Sequence, residues 1–477
     1  MSVMSTYSEQ LASWFLDLRL EDLPDDVIEA TKLRILDTLG VMLVAVSTPI
    51  GSAVRDAVMA MGSGSDSRMI GYGDRTTAMG AALVNGTLAH AMDFDDTHNA
   101  TLVHPSAAIV ATALAVGEMT GASGDEVLIS VAAGHEISCR LGLVAPMAFH
   151  RRGFHPTGVL TCLTASMAAS RLMGLNAAQL RAAVGINGSQ ASGLIESYSD
   201  GTWVKTLHAG WAASSGITAA LLARSGFTGP ATVLEGRFGL FNAFVPDASG
   251  GLRFEELTKD LGREWEARRC SLKPYPCAHV IHSFVDLALG LHGEGLRGSD
   301  VDRIELPISE VYLPVVGEPR DVKLRPKTPT HARASLIYCV AAALHLGHLG
   351  IDAFSDERIA DPDIIDLAGK MYPVADPHPA PRTQFRGRIV LETTGGRRIE
   401  RVQEHNKGSL ENPMTREEIE AKFNDNAGRL ISAEKAAAVH SIVSNLETLK
   451  TVSNLVDCCV VQEINRIDEQ DAKNRVD

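Results

Sequence analysis

The sequence predicts a mainly α protein, a large all-helical domain followed by a smaller α+β domain, and three observations carry that expectation. Hydrophobic residues fill 45% of the 477 positions and aromatics only 5%, with Ala, Gly and Leu abundant, a mixture suited to closely packed helices. Apolar residues recur at helical spacing from Tyr7 to about Arg263. After about Glu266 the pattern shifts to the period-2 alternation of half-buried strands. A chain of this length divides into two or three domains, read as residues 1–266 (helical), 267–405 (α+β) and 406–477, whose helices return to the first domain.

Leu11, Trp14, Phe15 and Leu18 give i, i+3, i+4, i+7 spacing, and Leu23-Pro24 restarts a helix at Asp25-Asp26 that runs through Ile28, Leu33, Ile35, Leu36 and Leu39. Further helices are predicted at Ala78–His90, Pro105–Thr120, Gly124–Leu143, Pro156–Met173, Ala177–Gly185 and Ala209–Ser225. Met-Gly, Thr-Gly and Ser-Gly pairs supply C-terminal stops, and Asn176 with Gln179 forms a capping box. Val301–Pro307 and Gly387–Thr393 read as strands. The second is followed by a hairpin turn at Thr394-Gly395-Gly396-Arg397 and a return strand at Ile399–Val402. Ala332–Leu346 reads as one buried helix, and Thr415–Ala427 and Ala433–Leu449 complete the chain. The polar tail from Asp468 is expected to fray.

The formal net charge of −14 leaves no basic footprint for nucleic acid. An acidic protein that takes an anionic substrate must therefore concentrate Lys, Arg and His locally. Seven cysteines at positions 139, 162, 270, 277, 339, 458 and 459 have an odd count and no CxxC spacing. That argues against a disulfide framework or a zinc site and fits a reducing cytoplasm. The N-terminus lacks an apolar signal region, and Val41–Val46 is too short to span a bilayer, so no membrane segment is expected. GxGxxG at a strand–helix junction, GxxxxGK[ST], HExxH and GxSxG are all missing, and no metal or nucleotide cofactor is expected.

Four segments carry candidate chemistry. The densest is His90-Ala-Met-Asp93-Phe-Asp95-Asp96-Thr97-His98, followed by His104-Pro105-Ser106. Three carboxylates and three imidazoles within fifteen residues can supply general acid–base groups, or hard oxygen ligands for a divalent cation. The plainer alternative is an acidic helix cap and a solvated loop. His104-Pro105 and His155-Pro156 both begin helices, where an imidazole beside free backbone N–H groups makes an anion pocket. Lys205 and His208 lie three apart, on one face if that stretch is helical. Lys273-Pro-Tyr-Pro-Cys277 leads stiffly into a segment bearing His279 and His282, with Cys277 read as a packed thiol.

Taken in order, these segments resemble the MmgE/PrpD family, which includes 2-methylcitrate dehydratases, cis-aconitate decarboxylases and iminodisuccinate epimerases. The likeness runs from Ile35-Leu-Asp-Thr-Leu-Gly40 through Ile70–Gly73, Asn85-Gly86, Asp93–His104, His155–Gly158, Lys205–His208, Gly236–Gly239 and Lys273–Pro276 to Lys407–Met414. It implies that the α+β domain is a lid over a cleft, that the protein is a homodimer, and that the substrate is a small di- or tricarboxylic acid. The site residues it implies are Asp93, Thr97, His104, His155, Lys205, His282 and Tyr312, with His282 preferred to His279. Lys273 and His208 are secondary anion contacts. In the mechanism expected, His104 and His155 move the proton, Asp93 orients a histidine, and Lys205 stabilises carbanion-like charge. A lyase of the 2-methylcitrate dehydratase type is expected first, then cis-aconitate decarboxylation or epimerisation. A non-catalytic carboxylate-binding protein is the alternative from another class. Glu196 is expected to border the cleft and disfavour one carboxylate of a tricarboxylate.

Overall fold

Small residues decide how the helices meet. A Cβ on Gly86 would lie 2.7 Å from the Gly210 Cα, so the Ala78–His90 and Val204–Arg224 helices touch backbone to backbone. A side chain there would push apart the two helices that later carry His90 and Lys205. The computed structural model that shows this describes residues 5–461 except 249 and 382; the polar tail from Asp468 lies outside them. Around that contact pack the helices Pro105–Thr120, Gly124–Val144 and Pro156–Leu172. Their Ala-rich sequences are buried almost all round, as central helices of a bundle must be.

Helix ends follow local chemistry. Thr6 with Glu9, Asn176 with Gln179 and Thr415 with Glu418 form capping boxes. His104 and His155 occupy the N-cap positions of helices whose first residue is proline. The helix expected from Ala209 begins earlier, at Val204, and so includes Lys205 and His208.

The α+β unit is a four-stranded sheet in the order Met371–Ala375, Val301–Ile308, Gly387–Thr393, Arg398–Gln403. The first pair is parallel and the other two are antiparallel. Met371–Ala375 had no sequence signal: it is short, and its internal Pro373 is tolerated because the strand is at the sheet edge. The helices His282–Gly293 and Leu336–Leu346 pack with the sheet into one core from Cys277 to Ile399, which Met147 also joins. Ala332–Leu346 is not one helix. A short helix Pro329–Arg333 ends there, and the Ser335 hydroxyl, accepting from the Tyr338 N–H, starts the next.

A second core joins residues 11–265 to Phe423–Cys459, and the Arg416–Ala427 and Ala433–Ser444 helices pack on Asp25–Ala45. Among the described residues, Gly124–Val144 is the one unbent helix long and apolar enough to cross a membrane, and it is buried inside this core. All seven cysteines are free thiols; the sulfurs of Cys139 and Cys270 lie 3.4 Å apart.

Candidate active site

The Ala78–His90 helix ends in a loop whose three carboxylates take three separate sets of partners. Asp93, at φ +50° in the left-handed region that Asp tolerates, accepts from Lys205 Nζ at 3.1 Å and from Lys273 Nζ at 2.7 Å. Lys273 also donates to the Asp93 carbonyl at 2.9 Å. Burial alone would raise the Asp93 carboxyl, but Lys205, Lys273 and His104 hold it well below the usual carboxylate range. Lys205 in turn is raised, Asp93 outweighing its burial.

Asp95 accepts from His90 Nδ1 at 2.7 Å, with His104 Nδ1 at 3.8 Å, and against its burial the two rings hold its carboxyl down. Asp96 accepts from the Ser106 N–H at 3.1 Å and the Ser106 hydroxyl at 2.7 Å; burial pushes its carboxyl up to about 6, against Arg34 and those hydrogen bonds.

This division corrects two expectations. Asp93 does not orient a histidine; Asp95 does, through His90. The three aspartates do not converge on a cation either. The set of nearby groups whose ligand atoms lie within 4.8 Å of one another is His90, Asp95 and His104. Two of its ring nitrogens are already engaged, since His104 Nδ1–H donates to the Asp96 carbonyl at 2.7 Å.

A carbonyl only accepts, so that bond fixes the His104 tautomer and leaves Nε2 as its lone-pair nitrogen. The Thr97 hydroxyl stands 3.1 Å from His104 Nδ1. The His90 ring lies 5.0 Å from His104 and 5.4 Å from His155, and its Nε2 is buried with no hydrogen-bond partner. His155 and His208 share a proton between Nδ1 atoms 3.0 Å apart. Burial first, then neighbouring cations and rings, pushes His104 and His155 well down, and His150 and His208 to about 4. At neutral pH these four imidazoles carry no charge.

The helix starts at His104 and His155 are not open anion pockets. The first is filled by the protein's own Asp96, which takes the Ser106 N–H. The second is covered by the 192–195 loop: the His155 N–H donates to the Gly193 carbonyl, and a Cβ on Gly158 would meet the Ser192 carbonyl at 2.5 Å.

The cleft, partly open to solvent, runs between the helical bundle and the α+β unit. His90, Asp93, Tyr198 and Lys205 line one wall; Lys323, His331 and Arg333 line the other. Lys273 is fully buried and bound to Asp93, and His208 is bound to His155, so neither is the free anion contact expected. His282 donates to the Cys277 carbonyl at 3.2 Å, and His279, pushed down first by burial and then by His282 and Lys273, accepts from Asn406 Nδ2 at 2.8 Å; neither ring lines the cleft. Tyr312 lies beside a separate cavity, its ring 6.0 Å from Phe385, which in turn packs on His279. Glu196 is exposed and does not line the cleft. His90 and Arg333 line the cleft and were missed as site residues. The signal for His90 was its place five residues before Asp95, at a helix end facing a proline-capped histidine.

Comparison with known proteins matches residues 9–251 to the MmgE/PrpD N-terminal domain and residues 275–448 to the MmgE/PrpD C-terminal domain. The cis-aconitate decarboxylase-like protein oryM of Aspergillus oryzae is 28% identical over 94% of this chain and 96% of its own length. The cis-aconitate decarboxylase of Aspergillus terreus is 25% identical over 95% and 96%. That of Homo sapiens is 28% identical over 95% and 94%.

Proposed function

This chain belongs to the MmgE/PrpD family, and from that premise we propose that it is a cofactor-independent carboxy-lyase acting on an unsaturated tricarboxylic acid of the cis-aconitate kind. The observation that carries the reading is the array of buried neutral imidazoles beside two ammonium groups that share a single carboxylate. A carboxylate on a CH₂ next to a carbon–carbon double bond can leave as carbon dioxide. The C–C bond breaks, its electron pair spreads over the allylic system, and a proton is delivered at the far carbon. That carbon is next to a second carboxylate, so the transient charge is delocalised into it. Such a step needs electrostatic stabilisation and one proton donor.

Lys205, raised and permanently charged, faces the developing charge across the cleft. The proton comes from the imidazole array: a bound polyanion raises the neutral rings of His104 and His155, which take up a proton as substrate arrives. Thr97 keeps the His104 ring in register through its hydroxyl. The α+β unit acts as a lid, because Lys323, His331 and Arg333 complete the cleft only when it is closed on the bundle.

A second reading is dehydration of a 2-methylcitrate-type hydroxy acid. The observation that favours it is His90, whose Nδ1–H is bound by Asp95 and whose unpartnered Nε2 is placed to act as a base. The relatives give no support to epimerisation. Incubation with cis-aconitate or 2-methylcitrate in heavy water, followed by NMR and carbon dioxide detection, separates the two. Carbon dioxide and one deuterium in the product are expected from cis-aconitate; loss of water from methylcitrate alone would reverse the choice.

We also propose that the protein works as a homodimer. The helix that turns Lys205 and His208 inward leaves Leu207 and Trp211 outward, next to Trp203 and Val204, and Trp211 is 43% exposed. An apolar face on a rigid central helix suits a self-complementary contact. Trp211→Asp should sediment as a monomer; a wild-type protein that is itself monomeric would refute this.

A further inference from the structure

On the α+β wall of the cleft a buried cation lacks a counter-ion. Arg333 ends the Pro329–Arg333 helix, is 8% exposed and lines the cleft with Asp93 and Lys205. Its Nε is buried without a hydrogen-bond partner, and among the described residues its guanidinium enters no ion pair. The Phe354 ring supports it, with Cζ 5.5 Å from the ring centroid. Its carbonyl accepts from the Ala278 N–H at 2.9 Å, which ties it to the loop carrying Lys273 and His279. Lys323 Nζ holds the neighbouring backbone, donating to the Val315 carbonyl at 2.6 Å and the Ala334 carbonyl at 2.9 Å.

A buried, unpaired guanidinium is unstable by several kcal/mol unless something completes it. Burial pulls Arg333 down to about 10, against the influence of Asp93, which still leaves it charged at neutral pH. On the bundle wall the cations are already partly neutralised, because Lys205 and Lys273 share Asp93, and one positive charge remains there. On the facing wall Arg333 adds a second and Lys323, whose Nζ is held by two backbone carbonyls, a third. The guanidinium, with its planar fork of donors, matches a carboxylate in two-point fashion.

We propose that Arg333 is a substrate-binding residue that takes one carboxylate on the α+β side of the cleft, and that this subsite sets the preference for a tricarboxylate over a dicarboxylate. The inference rests on the reading of the cleft as a polycarboxylate site. The floor holds two carboxylates of the substrate near Lys205 and the imidazoles, while Arg333 fixes the third. It thereby decides which carboxylate is left facing the imidazoles.

Calorimetric binding of tricarballylate and of glutarate to the full-length protein tests this without requiring turnover. Wild-type protein should prefer tricarballylate. Arg333→Gln should bind tricarballylate about 10- to 100-fold more weakly, the worth of a charge-assisted hydrogen bond, while its affinity for glutarate changes less than about threefold. Arg333→Lys, which keeps the charge and loses the fork, should fall between them and guards against a misfolded Gln variant. Unchanged tricarballylate binding in Arg333→Gln, or equal weakening of both anions, would overturn the subsite alone. A wild-type protein that binds neither anion would overturn the polycarboxylate reading and the subsite with it.

Discussion

The two walls of the cleft are built on opposite principles. On the helical side each acidic group has its partner at hydrogen-bond distance: Asp93 with two lysines, Asp95 with His90, Asp96 with Ser106. On the α+β side Arg333 Nε and His331 Nδ1 are buried with no partner. The first wall has its acidic groups paired before substrate arrives, with His90 Nε2 left open, and holds its proton-transfer groups in fixed positions, as preorganised electrostatic catalysis requires. The second is incomplete, and the group that completes it must be an anion. In the proposed function the helical wall performs the chemistry, and the facing wall selects what reaches it.

The contrast is broken most severely at the imidazoles. His104→Ala and His155→Ala should each lower kcat by about 10²- to 10⁴-fold, the usual worth of a general acid or base, with melting temperatures near wild type. Full activity in both variants would remove the floor's role. Next comes the ion cluster. Lys273→Met leaves Asp93 with Lys205 alone, and denaturant unfolding should show a loss on the order of 3 kcal/mol.

A smaller effect is expected where the walls meet. Gly201, at φ +74°, lies against the α+β unit, and a Cβ there would fall 2.3 Å from His331 Nε2. Gly201→Ala should cost about 1–3 kcal/mol and weaken anion binding by holding the cleft open. Anion affinity unchanged in that variant would show that closure does not matter to binding.

Acid should separate the walls gradually. His150 and His208 are held near about 4 and His104 and His155 lower than usual, whereas in the unfolded chain each titrates near about 6.5. The unfolded state then binds more protons than the folded one below that pH. The contribution of these rings is full above about pH 6.5 and is lost as pH falls toward about 4. Asp93 and Asp95, also held down in the folded state, extend the loss below the normal carboxylate range. Urea unfolding between about pH 7.5 and about pH 4 should show this slope, shallower in His208→Asn. A flat profile would mean that the rings are charged in the folded protein.

Much of the helical wall was legible in the sequence. Pro105–Thr120 is read to both ends because a His-Pro start and the left-handed Gly121 stop are local signals. Asp93, Thr97, His104, His155 and Lys205 come together from motifs that keep their spacing within single loops and helix starts. What was not legible depended on contacts between distant segments. Which carboxylate takes which partner is set by Lys273, 180 residues after Asp93. Nothing in the sequence showed that a short 3-10 turn, His279–Ile281, precedes the α-helix, or that neither His279 nor His282 lines the cleft. Arg333 carried no motif; its significance is that among the described residues its guanidinium enters no ion pair. Glu196, by contrast, looked significant in the sequence and is exposed.

The proposed chemistry depends above all on the His104 and His155 imidazoles being uncharged until a polyanion raises them. Calorimetry of tricarballylate binding at neutral pH, repeated in two buffers of different ionisation enthalpy, measures that directly. Net uptake of about one proton per site is expected, and it should be lost in His104→Ala or His155→Ala. Tight binding with no proton uptake by the wild-type protein would show that these imidazoles do not take up the proton.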